Sequence, residues 1–140
     1  MVKAHLEFVL SGANILRTNT RRADARQLRK HLHFKDPALD PFLLIESAAK
    51  LATGAMSKAR GRHCLIAGTI GPWHDCHGRL PDCLTQEEAR EKLSAWHTDR
   101  INRLTVSGVT LFAVESMPGP DEAMAVLDAL QKASPTFHLV

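Results

Sequence analysis

No stretch of this 140-residue sequence stays apolar long enough to cross a bilayer. The longest runs, such as Phe42 to Ile45 and Leu111 to Val114, fall far short of the roughly 20 residues a spanning helix needs. Cysteine is scarce too. Cys64, Cys76 and Cys83 are odd in number, which argues against a disulfide framework and for reduced thiols. The opening "MVKAHLEFVLSG" mixes Lys3, His5 and Glu7 into its apolar residues, so it does not read as a secretory signal, and the cytosol is the default expectation. Aromatic residues are few. The basic cluster of Arg17, Arg21, Arg22, Arg26, Arg29, Lys30 and His31 has none interleaved before Phe34, which argues against a stacking platform for nucleic acid. An acidic or phosphate partner is the functional reading left for that cluster, and a solvated loop face is the plainer one.

The composition that remains, 44% hydrophobic with a net charge of +3, suits one domain of ordinary length. Val2, Leu6, Val9 and Leu10 recur at helical spacing and stop at Gly12. A strand is predicted from Ala13 to Thr18, then a polar segment to Asp40. Asp40 and Pro41 form an N-cap and first-position pair for a helix with Leu44, Ala48, Leu51, Ala55 and Ala59 on one face, ending at Gly61. "HCLIAGTIG" reads as a strand and "PWHDCHGRLPDCL" as a turn-rich loop. Thr85 with Glu88 is a capping box, opening a helix that carries Ala89, Leu93, Trp96 and Leu104 inward toward Gly108. "VTLFAVE" predicts another strand. "PGPDEA" opens a helix with Ala123, Val126, Leu127 and Leu130 inward, Pro135 breaks it, and "TFHLV" begins a last strand.

Helix and strand alternate throughout, and the strands are apolar on both faces, which together predict a parallel sheet with covering helices. "SGANIL" at Ser11 and "SGVTLF" at Ser107 repeat one helix-to-strand junction, with Gly12 and Gly108 as the left-handed residues. Ligands of parallel α/β sheets bind at the carboxyl ends of the strands. Those ends gather Thr18, Asn19, Thr20, Thr69 and Glu115 on one rim, with Gly68 and Gly71 allowing close backbone approach. Glu115 is the puzzle among them, because a carboxylate at the exit of a buried strand is costly unless something pairs with it. A small polar ligand with a cationic group, such as an amino acid's ammonium, fits this inventory.

"HLEFVLSGANILRTNTRRA", "IAGTIGP" and "AWHTDRINRLTVSGVTLFAVESMPGPDEAMAVLDAL" resemble, in order and spacing, the homocysteine S-methyltransferase family, which includes the betaine-dependent enzymes. The resemblance implies that residues 1–140 are a homocysteine-binding domain with an α/β fold, a partial (β/α)8 TIM barrel holding about strands two to five with their helices. It implies methyl transfer from a donor such as S-methylmethionine or betaine to the thiol of homocysteine, giving methionine. The substrate-binding residues would be Thr18, Asn19, Thr20, Thr69, Gly71 and Glu115, with Glu115 holding the substrate's amino group and Thr18 in the same pocket. The family's zinc would lower the thiol's pKa. Its cysteine ligands match nothing before Val140, and the family's first strand would precede Met1. The sequence departs from the pattern again where Arg21 and Arg22 follow "TNT" and where tyrosine is wholly absent.

These departures predict a piece of a longer product, inactive by itself, with no catalytic or metal residue assigned. A complete barrel takes about 250 residues. Half of one exposes unpaired strand edges and apolar faces, which leaves three alternatives: a piece of a longer product, the preferred one, self-association or another partner through those edges, or poor stability. The alternative reading is a non-catalytic half-barrel that binds or interacts without chemistry. His74, Asp75, Cys76, His77 and Cys83 make a local metal inventory, but without a closed four-ligand spacing. His97 and Arg100 are read as lying on the exposed or semi-exposed side of their helix, tying it to neighbouring segments.

Overall fold

The computed structural model describes residues 1–32, 40, 42–80, 84–133 and 136–140. Pro41, Cys83, Phe34 and Pro135, and the side chain of His31, lie outside what it describes, so the readings placed on them stand as expectations. Among the described residues there are ten elements. They are α1 (Val2–Leu10), β1 (Ile15–Arg17), α2 (Ala25–Leu32), α3 (Leu43–Lys58), β2 (Leu65–Ile70), α4 (His74–His77), α5 (Gln86–Val106), β3 (Leu111–Val114), α6 (Pro120–Ala133) and β4 (His138–Leu139). Helices lie between successive strands as expected, but two of them, not one, come before β2 and before β3. The four strands form one sheet in the order β1-β2-β3-β4, every pair parallel. No helix among the described residues is long and apolar enough to cross a membrane.

Strand alternation assigns the faces. Leu16 pairs with Ile66, Gly68 with Phe112 and Ile70 with Val114, and this face carries the helices. Ile70 and Phe112 pack there against Ile45 and Ala49 of α3, Ile101 and Leu104 of α5, and Val126, Ala129 and Leu130 of α6. Each large side chain so buried contributes about 1.5–3 kcal/mol. A second cluster, Val9, Leu16 and Ala59, docks α1 on β1. The opposite face carries Ile15, Arg17, Leu65, Ala67, Thr69, Leu111 and Ala113 by register. Ile15 and Leu65 are exposed on it.

Both repeated junctions form as read. Gly12 and Gly108 take positive φ (101° and 85°), just after Ser11 and Ser107, the residues that close α1 and α5. The capping box is complete: Thr85 Oγ1 accepts from the Glu88 N–H, and the Glu88 carboxylate accepts from the Thr85 N–H at 2.8 Å. Asp40 is not the N-cap that was expected: that residue is Phe42, with α3 beginning at Leu43, and Asp40 accepts the Phe42 N–H at 2.9 Å in the turn just before the helix.

Other expectations are corrected. The polar segment before Asp40 contains α2, whose first turn is held by Asp24 accepting the Gln27 N–H at 2.9 Å. The turn-rich loop contains one helical turn, α4. On α3 the buried stripe is Ile45, Ala49, Ala52 and Ala55, while Leu44 and Leu51 are exposed. On α6 it is Ala125, Val126, Ala129 and Leu130, with Glu122 buried among them. His97 and Arg100 are fully buried, not exposed.

Candidate functional site

An open cavity of about 560 Å³ runs along the free side of β1 and over the strand ends. Its wall includes consecutive residues of β1, Ile15 to Arg17, followed by Thr18 and Asn19, so both faces of that strand reach it. Thr69, one residue before the end of β2, and Glu115, one residue past β3, close its upper end. Four of the six predicted site residues, Thr18, Asn19, Thr69 and Glu115, are therefore brought to one wall. Thr20 and Gly71 stand behind it.

The threonines bind the strands together. Thr20 Oγ1 donates to the Thr69 carbonyl at 2.8 Å, so its only proton is used there. Its 2.6 Å contact with Thr18 Oγ1 must then be donated by Thr18, which in turn accepts the Thr69 N–H at 3.0 Å. This chain of bonds continues the β1–β2 pairing beyond the last ladder rung. Thr69 keeps its own hydroxyl buried without a partner. Asn19 is exposed.

The two glycines were expected to admit a ligand, and here they admit the protein. A Cβ on Gly68 would lie 2.9 Å from Leu104 Cδ1 of α5, and one on Gly71 would lie 2.6 Å from the Arg21 carbonyl. Arg100 locks that second contact. Buried to 2% exposure, its guanidinium donates to the carbonyls of Gly71 at 3.1 Å, Thr20 at 3.2 Å and Arg21 at 2.7 Å. Burial pushes its pKa down to about 10, which leaves it charged at neutral pH. The tying role expected of Arg100 is thus performed from inside the protein.

Glu115 has a partner within the chain: the guanidinium of Arg17 forms an ion pair with it. The Glu115 N–H donates to the Ile70 carbonyl at 3.0 Å, and Ser116 follows in the left-handed region at φ 59°. His5 and Arg21 line the wall although the sequence reading did not place them among the site residues. His5 is buried on α1 with Val9, four residues on, a pairing that marks the packed face of a helix. Burial, and then the nearby N-terminal charge, push its pKa down. Arg21 also lines the wall and pairs with Asp75 at 3.0 Å.

Behind the rim lies a buried polar layer. Asp24 accepts from Trp96 Nε1 at 2.8 Å and faces His77 Nε2 at 3.2 Å; burial raises its pKa, but these bonds and the Gln27 N–H outweigh that and hold it low. His97 Nε2 donates to Glu122 at 3.0 Å, leaving Nδ1 buried and unpartnered. Cys76 is buried, and its thiol, 3.6 Å from the Arg22 carbonyl, is pushed up by burial and so stays protonated at neutral pH. Of the proposed metal inventory, Asp75 and His77 are engaged with Arg21 and Asp24, His74 is exposed and Cys83 lies outside the description. Among the described residues no three His, Cys, Asp or Glu side chains are grouped to hold a metal.

Comparison with known proteins decides the family. The model of the family described as homocysteine S-methyltransferase matches residues 1–139. The chain belongs to that family. It is 31% identical over 144 aligned residues to a betaine-homocysteine S-methyltransferase of Drosophila melanogaster, covering 91% of this chain and 41% of the relative. In fold it matches the homocysteine methyltransferase MmuM of Escherichia coli. For the metallated form the TM-score is 0.78 at 23% identity, covering 99% of this chain and 49% of that one; for the oxidized form it is 0.79, covering 48%. The chain thus spans about half the length of the relatives it matches. Its parallel sheet is correspondingly about half of a (β/α)8 barrel.

Proposed function

We propose that this chain is the amino-acid-binding half of a homocysteine S-methyltransferase, the half that seats the substrate whose thiol is to be methylated. One juxtaposition supports it: Thr18, Asn19, Thr69 and Glu115, from three strand ends, share one cavity in a chain that matches the family over residues 1–139. Glu115 receives the ammonium of homocysteine, and Asn19 and Thr69 supply hydrogen bonds beside it. In the complete reaction the thiolate attacks the methyl carbon of a donor such as S-methylmethionine or betaine. The carbon–sulfur or carbon–nitrogen bond breaks, its electron pair leaves with the donor, and methionine is formed.

By the resemblance, the family's zinc generates that thiolate. The described residues do not fit a metal, so no step through one is assigned to these residues. On this reading the isolated 140-residue chain is expected to bind homocysteine without turning it over. Calorimetry is expected to show binding that Glu115→Gln weakens about tenfold, the scale of one charge-assisted hydrogen bond. Incubation with homocysteine and either donor is expected to yield no methionine. Methionine from the isolated chain, or equal binding by Glu115→Gln, overturns the reading.

A further inference from the structure

The cavity wall contains a matched pair of opposite charges. Arg17, at the end of β1, reaches across β2 to the carboxylate of Glu115 beyond β3, and both residues line the cavity. Alanines at Ala67 and Ala113, on the same face of β2 and β3, leave room for the long side chain to cross. Arg21, the other guanidinium on the wall, is balanced by Asp75. Where Arg17 meets Glu115 the two charges cancel, and Met1, whose N-terminal charge acts on His5, is a further residue of the same wall. Two polar atoms of wall residues are buried without a hydrogen-bond partner, Thr69 Oγ1 and Arg21 Nε. Groups left so are costly.

We propose that the cavity admits zwitterions by letting them insert into the Arg17–Glu115 pair, the carboxylate turning to Arg17 and the ammonium to Glu115. This rests on the amino-acid-binding reading above and adds Arg17 as the residue that sets the class of ligand. An amine without a carboxylate must evict the guanidinium from Glu115 and offer it nothing in return. An acid without an amine strips Glu115 of its partner. A zwitterion replaces one ion pair with two. The pair opens readily, since its side chains are 64% and 25% exposed and exposed pairs hold weakly. A guanidinium, unlike an ammonium, can then grip the carboxylate with two parallel N–H bonds.

The test is calorimetry on the 140-residue chain with three probes: homocysteine, its decarboxylated aminothiol and its deaminated thiol acid. Wild type is expected to bind homocysteine at least about tenfold more tightly than either fragment. In Arg17→Ala the preference over the aminothiol should collapse: homocysteine weakens, the aminothiol tightens and the two converge. Arg17→Gln, which keeps most of the side-chain length without the charge, reads the same comparison should Arg17→Ala fail to fold by circular dichroism. Homocysteine bound equally by wild type and both variants overturns the role of Arg17 and leaves the amino-acid reading standing. No homocysteine binding by the wild type overturns both.

Discussion

Arg100 is the side chain on which the rim depends most. It is a buried cation whose hydrogen-bond acceptors are three backbone carbonyls, and removing it leaves those carbonyls buried without that donor. Arg100→Met should cost about 3 kcal/mol or more, a large share of a single domain's roughly 5–15 kcal/mol, and shift the urea midpoint followed by tryptophan fluorescence. Arg100→Lys keeps the charge and should cost less. His97 adds a pH dependence. Burial lowers its pKa most, and the Arg100 charge does so too, against the opposing pull of Glu122. Below the unfolded value of 6.5 the unfolded chain binds the proton more readily than the folded one, so stability falls as pH drops through that range. The decline in urea midpoint from neutral to mildly acidic pH should be shallower in His97→Gln. Sequence reading placed both residues on the exposed or semi-exposed side of α5, where charged side chains usually lie. What the sequence does not display is the set of carbonyl ends and the Glu122 carboxylate that compensate them.

Among the elements, the strands and their junctions were the legible part. Runs apolar on both faces, the Ser-Gly turns and the Thr85–Glu88 box each carry a local signal that tertiary packing does not override. Thr85→Ala should cost about 1 kcal/mol, measured as a lower thermal midpoint. α2 escaped because "ARQLRKHL" offers a lone Leu28 before its last residue, and no apolar period. Its start is fixed by Asp24, a residue that Trp96 and His77 hold in place from distant parts of the chain. The stripe read on α3 was right only in part. Ala55 and Ala59 are buried as expected, but Leu44 and Leu51 are exposed and Ile45, Ala49 and Ala52 face inward instead. Among the site residues, strand ends predicted which ones gather. They could not predict that Gly71 is needed for the Arg21 carbonyl, or that Arg17 reaches Glu115.

The molecule as a whole is a sheet with an unfinished side. The Asn14 carbonyl and the Thr18 N–H bond to β2, so the alternation of a parallel ladder turns the peptide groups of Ile15 and Arg17 the other way, where no described strand pairs with them. Ile15 at 40% and Leu65 at 62% exposure add apolar surface to that region. Such an edge invites association. Sedimentation of the 140-residue chain at micromolar concentration should show dimers or larger species, and Leu65→Lys should return it toward the monomer without loss of far-UV circular dichroism. A monomer at every concentration would mean that edge and face are tolerated bare.

The anchoring of three neighbouring peptide groups on one guanidinium has a mechanical consequence. The turn after β1 cannot shift without dragging the turn after β2, so an arriving molecule meets a mould already cast. Under the proposed binding, capture would be limited by encounter and by the swing of Arg17, and temperature should alter the on-rate little more than it alters the viscosity of water.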